Sequence, residues 1–296
     1  MTRWLVTGAG GQLGRDLLTA LEGQDVTGLT RDDLDLTDQT AVRRAVAQWV
    51  EAGEDDSVIV NAAAYTAVDA AESDEELATV VNGHAPGWIS AATAGRAKLI
   101  QVSTDYVFDG SSTTPYCPDD PTAPATAYGR SKLAGERAVL DGPTTAWVVR
   151  TAWLFSRYGG NFVDTMLRLQ ADRNTVDVVA DQRGSPTWAA HLAAGLVELG
   201  ESSVPPGVQH CTGAGQTTWY GLAREVFAAA GADPDRVRAT TTDRFPRPAP
   251  RPVYSVLSTE SWIAAGLAAL PAWEQAVRAA VAAIRGLEQP SVTDSG

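Results

Sequence analysis

Short apolar runs alternate with amphipathic stretches through the first half of the chain. The apolar runs predict β-strands at 4–7, 25–30, 57–61, 98–103 and 146–150. The stretches between them have apolar residues at helical spacing and predict helices at 15–22, 38–49, 75–94 and 128–139. Strands that alternate with helices form βαβ units. The pattern therefore predicts an α/β fold, a doubly wound parallel sheet with helices on both faces.

After residue 150 the pattern becomes less regular. Helices are predicted at 162–171, 189–199, 219–230 and 273–284, a turn at 205–207, and an irregular proline-rich loop at 245–252. We therefore expect two domains. The first spans 1–150, joined by about 176–200; the second is a smaller C-terminal domain, mainly 151–296, that shapes a substrate pocket over the sheet. Its polar tail, 289–296, is predicted to be disordered.

Composition narrows the class of protein. The chain has 296 residues, is 44% hydrophobic and has no long uninterrupted apolar run, which indicates a globular protein outside the membrane. Its net charge of −13 argues against nucleic acid or an anionic membrane as partner. Two cysteines and three histidines, none at metal-ligand spacing, predict no metal site and a reducing, cytoplasmic location.

A glycine-rich turn follows the first predicted strand. Gly8, Gly11 and Gly14 form the pattern G-x-x-G-x-x-G between that strand and the first helix. Glycine permits a tight turn and lets the backbone approach a pyrophosphate at the helix N-terminus. A glycine turn without a ligand has the same spacing, but its place in the first strand-turn-helix unit favours a Rossmann-type dinucleotide-binding domain.

The residues after the second predicted strand bear on the choice of cofactor. An acidic residue there hydrogen-bonds the ribose 2′-hydroxyl of NAD, whereas an arginine accepts the 2′-phosphate of NADP. The chain has Arg31 at this place, followed by Asp32 and Asp33. We predict NADPH as cofactor, with Arg31 among its contacts and NADH as the alternative.

One tyrosine and one lysine carry the candidate chemistry. Tyr128 and Lys132 are four residues apart and share a helix face, where the ammonium is expected to lower the phenol pKa from its usual value of about 10. The chain has only two lysines, so a chance pairing is rare, although a solvated helix face has the same spacing. Ser103 and Thr104 end a predicted strand at the sheet edge where ligands bind. Together these residues form a Ser/Thr-Tyr-Lys set for reducing a carbonyl group.

Several strings resemble a known family. They are 8–14, 60–69, 103–110, 128–136, 150–155, 161–162, 181–187 and 251–252 with Ser255. The strings at 61–69 (Asn-Ala-Ala-Ala-Tyr-Thr-Ala-Val-Asp) and 103–110 (Ser-Thr-Asp-Tyr-Val-Phe-Asp-Gly) are the most specific. On these strings, residues 3–284 resemble the extended short-chain dehydrogenases/reductases and, more narrowly, the dTDP-4-dehydrorhamnose reductase family.

The resemblance implies roles for individual residues. Thr104, Tyr128 and Lys132 would be catalytic. Residues implied to line the cofactor are Gly8, Gly11, Gln12, Leu13, Ala62, Ala63, Ser103 and Lys132, to which the glycine turn, the second strand and the catalytic helix add Gly14, Arg31 and Tyr128. The substrate-binding set is Thr104, Asp105, Tyr106, Trp153, Asn161 and Arg251. Within it, Trp153 offers an apolar face and Arg251 a bidentate grip on a diphosphate, although Trp153 fits a packed interior equally well.

Two positions depart from the family pattern. Some members dimerise through a magnesium site that uses a glutamate after the Asp-Gln-x-Gly-x-Pro-Thr string, and 188–193 has no carboxylate here. We therefore expect no structural magnesium and a monomer or weak homodimer. Pro118 stands where the family usually has glutamate, which predicts different contacts for that loop.

The resemblance implies NADPH-dependent reduction of the C4 ketone of dTDP-4-dehydro-β-L-rhamnose to dTDP-L-rhamnose. Another dTDP-4-ketosugar reductase, or a dihydrostreptose-type synthase, would share every motif. A non-catalytic regulatory subunit of the methionine adenosyltransferase type would tolerate loss of the Tyr128–Lys132 pair, which is intact here. A dehydratase typically has two carboxylates beside the threonine, whereas this chain has only Asp105, so reduction is favoured over dehydration or epimerisation.

Overall fold

The structure, a computed structural model, describes residues 2–53 and 56–288. The strands are β1 (Arg3–Thr7), β2 (Asp25–Leu29), β3 (Ser57–Asn61), β4 (Lys98–Thr104), β5 (Ala146–Thr151), β6 (Leu154–Phe155), β7 (Val176–Val179), β8 (Arg183–Gly184), β9 (Thr187–Trp188), β10 (Gly207–His210), β11 (Thr217–Thr218) and β12 (Val237–Thr240). The helices are α1 (Gln12–Ala20), α2 (Gln39–Glu51), α3 (Val68–Ala71), α4 (Glu75–Thr79), α5 (Ala85–Thr93), α6 (Ala127–Leu140), α7 (Phe162–Asp172), α8 (Ala189–Glu201), α9 (Trp219–Ala229), α10 (Glu260–Ala264) and α11 (Trp273–Glu288). The predicted tail at 289–296 lies outside the described residues.

The central sheet has the strand order β10-β5-β4-β3-β1-β2, and each neighbouring pair is parallel. The chain runs outward from β1 to β2, then returns to β3 on the other side of β1. The direction of winding therefore reverses between β1 and β3, and a crevice opens beyond their carboxyl ends. This architecture confirms the predicted Rossmann-type α/β fold.

Alternating side chains of the sheet enter two separate apolar layers. Trp4 and Val6 of β1 pack with α1 and α8 on one face, whereas Leu5 packs with α2, α5 and α6 on the other. The same alternation holds in β3, where Val58 and Ile59 face opposite layers. Burial on both faces explains why these strands read as continuous apolar runs in the sequence.

The helical stretch predicted at 75–94 is not a uniform α-helix. It consists of α4, a π-helical turn at Val80–His84, and α5, which ends at Thr93. The first residues of α4 and the last of α5 are close to the predicted bounds. The π-helical turn adds a residue to the helical repeat and changes which side chains face α6, an effect with no simple sequence signature.

The second half of the chain contributes to both parts of the molecule. A separate apolar cluster joins α7, α9 and α11 with β7 and β12, which pair in parallel. Helix α8 covers the central sheet, however, and β10 forms its edge next to β5. The prediction of a turn at 205–207 is wrong at Gly207, which begins β10. The assignment of 1–150 and about 176–200 to one domain stays a prediction; within that range α8 packs on the sheet and β7 does not.

Within residues 2–53 and 56–288, no helix combines the length and the apolarity needed to cross a membrane.

Close packing of α6 on the π-helical turn gives a test of the fold. A Cβ added at Gly135 would lie 2.0 Å from the Asn82 carbonyl oxygen, whereas one added at Gly286 on α11 meets nothing within 4 Å. We expect Gly135→Ala to lower the free energy of unfolding by about 1–3 kcal/mol, because α6 must move. Gly286→Ala should leave it unchanged or raise it by up to about 1 kcal/mol, since alanine is the better helix former. Urea unfolding measures both, and equal effects would contradict the close packing.

Candidate active site

The glycine turn lies in the crevice between β1 and β3. Gly8 has φ of +72°, and a Cβ there would lie 2.6 Å from the Ala63 nitrogen and 2.9 Å from the Ala62 carbonyl carbon. A Cβ on Gly14 would lie 2.1 Å from the Gly8 carbonyl oxygen. No side chain fits at these places, so the strand, the turn and α1 approach one another closely. The exposed backbone at the start of α1 suits the pyrophosphate of a dinucleotide.

Two other residues predicted for the cofactor differ in exposure. Leu13 is buried in the apolar layer between α1 and the sheet, so only its backbone faces the turn. Gln12 lies toward the 159–161 segment, where its Nε2 donates to the Gly160 carbonyl at 3.4 Å. The turn is therefore connected to a loop from the second half of the chain.

Asn161, predicted to bind substrate, lies at this same junction. Its Nδ2 donates to the Ser156 carbonyl at 2.7 Å and to Gln12 Oε1 at 3.4 Å, and its Oδ1 accepts from the Asp164 N–H at 3.1 Å. Asn161 is the N-cap of α7. The structure places it beside the glycine turn rather than with the catalytic residues.

Arg31 is the second residue after β2, and its side chain is exposed. The preceding residue, Thr30, contacts the glycine turn, since its methyl group lies 3.7 Å from a Cβ built on Gly10. Thr30 also donates from its N–H and its hydroxyl to Asp33 Oδ2, at 2.9 and 2.6 Å. The Asp33 carboxylate is therefore engaged with Thr30, while the exposed Arg31 lies near enough to Asp35 for its charge to help lower the pKa of that carboxyl.

The predicted catalytic residues meet where α6 begins. Thr126 caps the helix by accepting from the Gly129 N–H at 3.0 Å, and this cap places Tyr128 in the first turn. The Tyr128 hydroxyl lies close enough to Thr104, at the end of β4, for that side chain to act on the Tyr128 pKa. One turn further along α6, Lys132 Nζ donates to the Val102 carbonyl at 2.7 Å. The structure thus brings Thr104, Tyr128 and Lys132 together at the carboxyl edge of the sheet.

The protonation of this set differs from the expectation. Burial raises the pKa of Tyr128 to about 12; the Thr104 hydrogen bond acts to lower it and the Asp105 charge to raise it. Burial lowers the pKa of Lys132 to about 8, although the Glu136 carboxylate acts to raise it. The expected net lowering of the Tyr128 pKa is wrong for the free protein, because desolvation of the phenolate outweighs the effects that lower the pKa. Tyr128 is consequently protonated at neutral pH and can act as a proton donor.

Asp105 is a buried carboxyl group next to this set. It is 3% exposed, and the Thr104 hydroxyl donates to its Oδ1 at 2.9 Å. Burial raises its pKa to about 6, against smaller lowering effects from Ser255 and Thr104. Ser255 is thus close enough to act on the charge, yet neither its Oγ nor Asp105 Oδ2 has a partner with hydrogen-bond geometry. Asp105 therefore has one oxygen free at the site.

Tyr106 and Arg251 form the next part of the site. The Tyr106 ring meets the Tyr128 ring edge-on, with centroids 5.6 Å apart. Arg251 lies close enough for its charge to act on Tyr106, and its guanidinium pairs with Asp69 Oδ2 at 2.9 Å. Both residues line a small cavity of about 50 Å³ that also borders Thr126. The proline-rich loop therefore reaches Tyr106, whose ring packs against Tyr128, and the substrate-binding role of these residues stays a prediction.

Trp153 is half-buried and stacks on Trp219, with ring centroids 3.7 Å apart and planes 4° from parallel. A Cβ on Gly184 would lie 2.4 Å from Trp153 Cε2. Trp153 also has φ of +48°, a conformation that costs a non-glycine residue about 1–2 kcal/mol. The indole face expected to meet a sugar or base is thus covered by Trp219, which the sequence analysis did not identify.

Three further buried polar residues, Glu136, Arg150 and Asn82, support the catalytic helix and were not among the predicted site residues. Glu136 accepts two hydrogen bonds from the Arg150 guanidinium, at 3.0 and 2.7 Å. Ser103, predicted to line the cofactor, instead donates its hydroxyl to Glu136 at 2.5 Å and so points into the protein. Asn82, on the π-helical turn, donates to Ser131 Oγ at 3.0 Å. The sequence signal for Glu136 was its spacing of four residues after Lys132, which places the two side chains on the same face of the helix.

Comparisons with known proteins agree with this geometry. The profile of the RmlD substrate binding domain family matches residues 2–285. A dTDP-4-dehydrorhamnose reductase from Streptomyces griseus is 51% identical over 96% of this chain and 94% of that protein. A probable dTDP-4,6-dihydroxy-2-methyloxan-3-one 4-ketoreductase from Streptomyces antibioticus is 48% identical over 97% of both.

A solved structure is also similar. The dTDP-4-dehydrorhamnose reductase from Bacillus anthracis, in complex with NADP, superposes with a TM-score of 0.89 at 35% identity, over 96% of this chain and all of that one. The chain therefore belongs to the RmlD substrate binding domain family, together with the dTDP-4-dehydrorhamnose reductases.

Proposed function

We propose that this protein is an NADPH-dependent reductase that converts the C4 ketone of dTDP-4-dehydro-β-L-rhamnose to the alcohol of dTDP-L-rhamnose. The observation that carries the proposal is the meeting of Thr104, Tyr128 and Lys132 at the sheet edge, close to the crevice that holds the glycine turn. The relative from Streptomyces griseus is named for this activity, and the similar structure from Bacillus anthracis holds NADP.

The glycine turn fits the cofactor, because its glycines let β1, the turn and α1 pack closely while the backbone at the start of α1 stays exposed. NADPH supplies the hydride when bound. Gly8 and Gly11 would approach its pyrophosphate, the buried Gly14 lets α1 pack against the turn, and Arg31 would face its 2′-phosphate. Lys132 uses one of its three N–H groups on Val102, which leaves two donors for the cofactor ribose.

Tyr128 holds the proton that the reduction requires. Its hydroxyl is protonated at neutral pH, and the alkoxide that develops on the substrate is a stronger base than a phenolate. Thr104 lies beside this hydroxyl. Its single proton is donated to Asp105 Oδ1 in the free protein and would have to turn from Asp105 to reach the same oxygen. The Lys132 ammonium stabilises the phenolate that remains after proton transfer.

The substrate side is proposed from the loops around Tyr106. Arg251 uses one terminal nitrogen on Asp69 and the other on the Ala249 carbonyl, at 2.9 and 3.0 Å. A guanidinium has five N–H donors, so donors remain for the diphosphate of a dTDP-sugar. Asp105, Tyr106 and the edge of Trp153 would face the sugar, whereas Asn161 would act indirectly through the 156–161 loop.

A second candidate is reduction of a different dTDP-4-ketosugar. The relative from Streptomyces antibioticus favours it, because its name specifies another 4-ketoreduction at nearly the same identity. A dihydrostreptose-type synthase remains a further alternative with the same motifs. A purely regulatory role is less consistent with the complete Thr-Tyr-Lys set. The monomeric or weakly dimeric state without structural magnesium, and the cytoplasmic location, stay predictions.

The decisive assay supplies each dTDP-4-ketosugar in turn with NADPH and follows loss of the reduced-nicotinamide absorbance. Turnover with dTDP-4-dehydrorhamnose supports the proposal. Turnover confined to another ketosugar selects the second candidate, and turnover with none rejects both.

The role of Tyr128 predicts the behaviour of Tyr128→Phe. We expect turnover to fall by about 10²–10⁴-fold, because the proton donor is lost, while NADPH still binds. Steady-state kinetics and a fluorescence titration with NADPH measure the two effects. Tyr220→Phe on α9 is the matched control and should behave as wild type. Near-normal turnover of Tyr128→Phe would show that another group donates the proton.

The role of Arg31 predicts a change in cofactor preference. Arg31→Ala should raise KM for NADPH by about tenfold or more and change KM for NADH little, because only NADPH has the 2′-phosphate. The exposed Arg44 on α2 provides the matched control, Arg44→Ala, which should affect neither cofactor. Equal changes in both KM values would remove Arg31 from the 2′-phosphate site.

A further inference from the structure

A buried chain of charges lies behind the catalytic lysine. Lys132 is 4% exposed, Glu136 2% and Arg150 4%. Lys132 and Glu136 are four residues apart on α6, so both side chains project from the same face of the helix toward the sheet. An ammonium in such a place loses most of its hydration, and a nearby carboxylate is the usual means of keeping it charged.

The position of Glu136 is tightly fixed. Arg150 donates to both of its oxygens in a fork, and the Ser103 hydroxyl donates to Oε1 at 2.5 Å. Ser103 directly follows Val102, whose carbonyl accepts from Lys132. One short segment of β4, Val102 and Ser103, thus orients both the Lys132 ammonium and the Glu136 carboxylate. A shift of this segment would move both groups.

Arg150 extends the same chain toward the substrate side. Its guanidinium donates to the Pro118 carbonyl at 3.1 Å and lies 3.4 Å from His210 Nε2. The Phe108 ring lies under the guanidinium, 5.0 Å from its central carbon. Every side of the Arg150–Glu136 pair is therefore occupied, which fixes the carboxylate relative to Lys132.

We propose that Glu136 is a positioning residue that keeps the Lys132 ammonium charged during the reaction, and that Arg150 holds Glu136 in place for this task. The inference rests on the proposed reductase function, in which a charged Lys132 is required. It assigns a role in the chemistry to a carboxylate that touches neither cofactor nor substrate.

Other titratable and charged groups lie on and beside the elements that pack against α6. The titratable and charged groups on and beside the elements packed against α6 are Lys98, Asp69, Glu72, Asp74, Glu75, Glu76, His84, Asp105, Tyr106 and Arg150, and α6 itself carries Tyr128, Arg130, Glu136 and Arg137. Glu136 is the charge that raises the pKa of Lys132, against the larger lowering effect of burial. Glu75 instead pairs with Arg130 at the surface, where both are 45% exposed.

The two lysines of the chain permit a direct test. Protein labelled with [¹⁵N]lysine gives side-chain signals from Lys98 and Lys132, and their titration follows each amine without any cofactor or substrate. In wild type we expect Lys132 to titrate near pH 8. In Glu136→Gln it should titrate about one pH unit lower, with Lys98 unchanged. Glu75→Gln is the matched control, because it removes a carboxylate from another bidentate arginine pair on the same helix and should leave Lys132 unchanged.

Kinetics then connect this shift to the reaction. Because a raised pH removes the proton from Lys132, the alkaline fall in kcat/KM should move about one pH unit lower in Glu136→Gln. Activity should approach wild type near pH 6 and fall about fivefold below it at pH 8. Glu136→Asp keeps the charge and should restore the wild-type profile. A loss of activity that is uniform across pH would mean that Glu136 is only structural.

Removing one member of a buried ion pair can unfold a protein, so a second variant is needed. Glu136→Gln combined with Arg150→Met leaves no unpaired charge, and it should fold yet still show the lowered titration of Lys132. A folded double variant in which Lys132 titrates as in wild type overturns the inference. The reductase proposal fails by a different result: the wild-type protein would not oxidise NADPH with any of the dTDP-4-ketosugars supplied.

Discussion

The burial of the Lys132 ammonium is the constraint on which the site depends. The side chain must cross from α6 to the β4 backbone, where the Val102 carbonyl accepts one of its protons. That reach requires α6 to lie close to the sheet and to the π-helical turn, and a glycine at 135 permits the approach. The same closeness places the partly exposed Tyr128 against the buried Thr104. The close approach of α6 to the sheet thus sets both the packing of this helix and the protonation of Tyr128 and Lys132.

Much of the fold followed from patterns that the sequence states directly. The doubly buried strands of the central sheet are continuous apolar runs, and Gly8, Gly11 and Gly14 mark the turn that the structure places in the crevice. Asp38 and Thr126 cap helices close to where the pattern begins them. These features are local, since each depends on residues within a few positions of one another.

What could not be predicted depends on contacts between distant segments. β10 is a short segment without the continuous apolar run that marks the doubly buried strands of the sheet. Its pairing with β5 makes it a strand. Trp153 gave no sign of its stacking on Trp219, which comes from a helix 66 residues later. The pKa of Tyr128 is set by how completely the surrounding elements exclude water. The spacing of Tyr128 and Lys132 predicted that they lie on the same helix face. It did not predict the direction in which burial shifts their pKa values.

The placement of β10 and α8 has a consequence for how the chain reaches its native state. When residues 1–150 have left the ribosome, β5 still has an unpaired edge, and Trp4, Ile100 and Trp147 face water where α8 will later pack. Roughly sixty more residues must be synthesised before that edge is closed. A chain of intermediate length therefore has an unpaired strand edge and an exposed apolar surface, the two features that favour aggregation of folding intermediates.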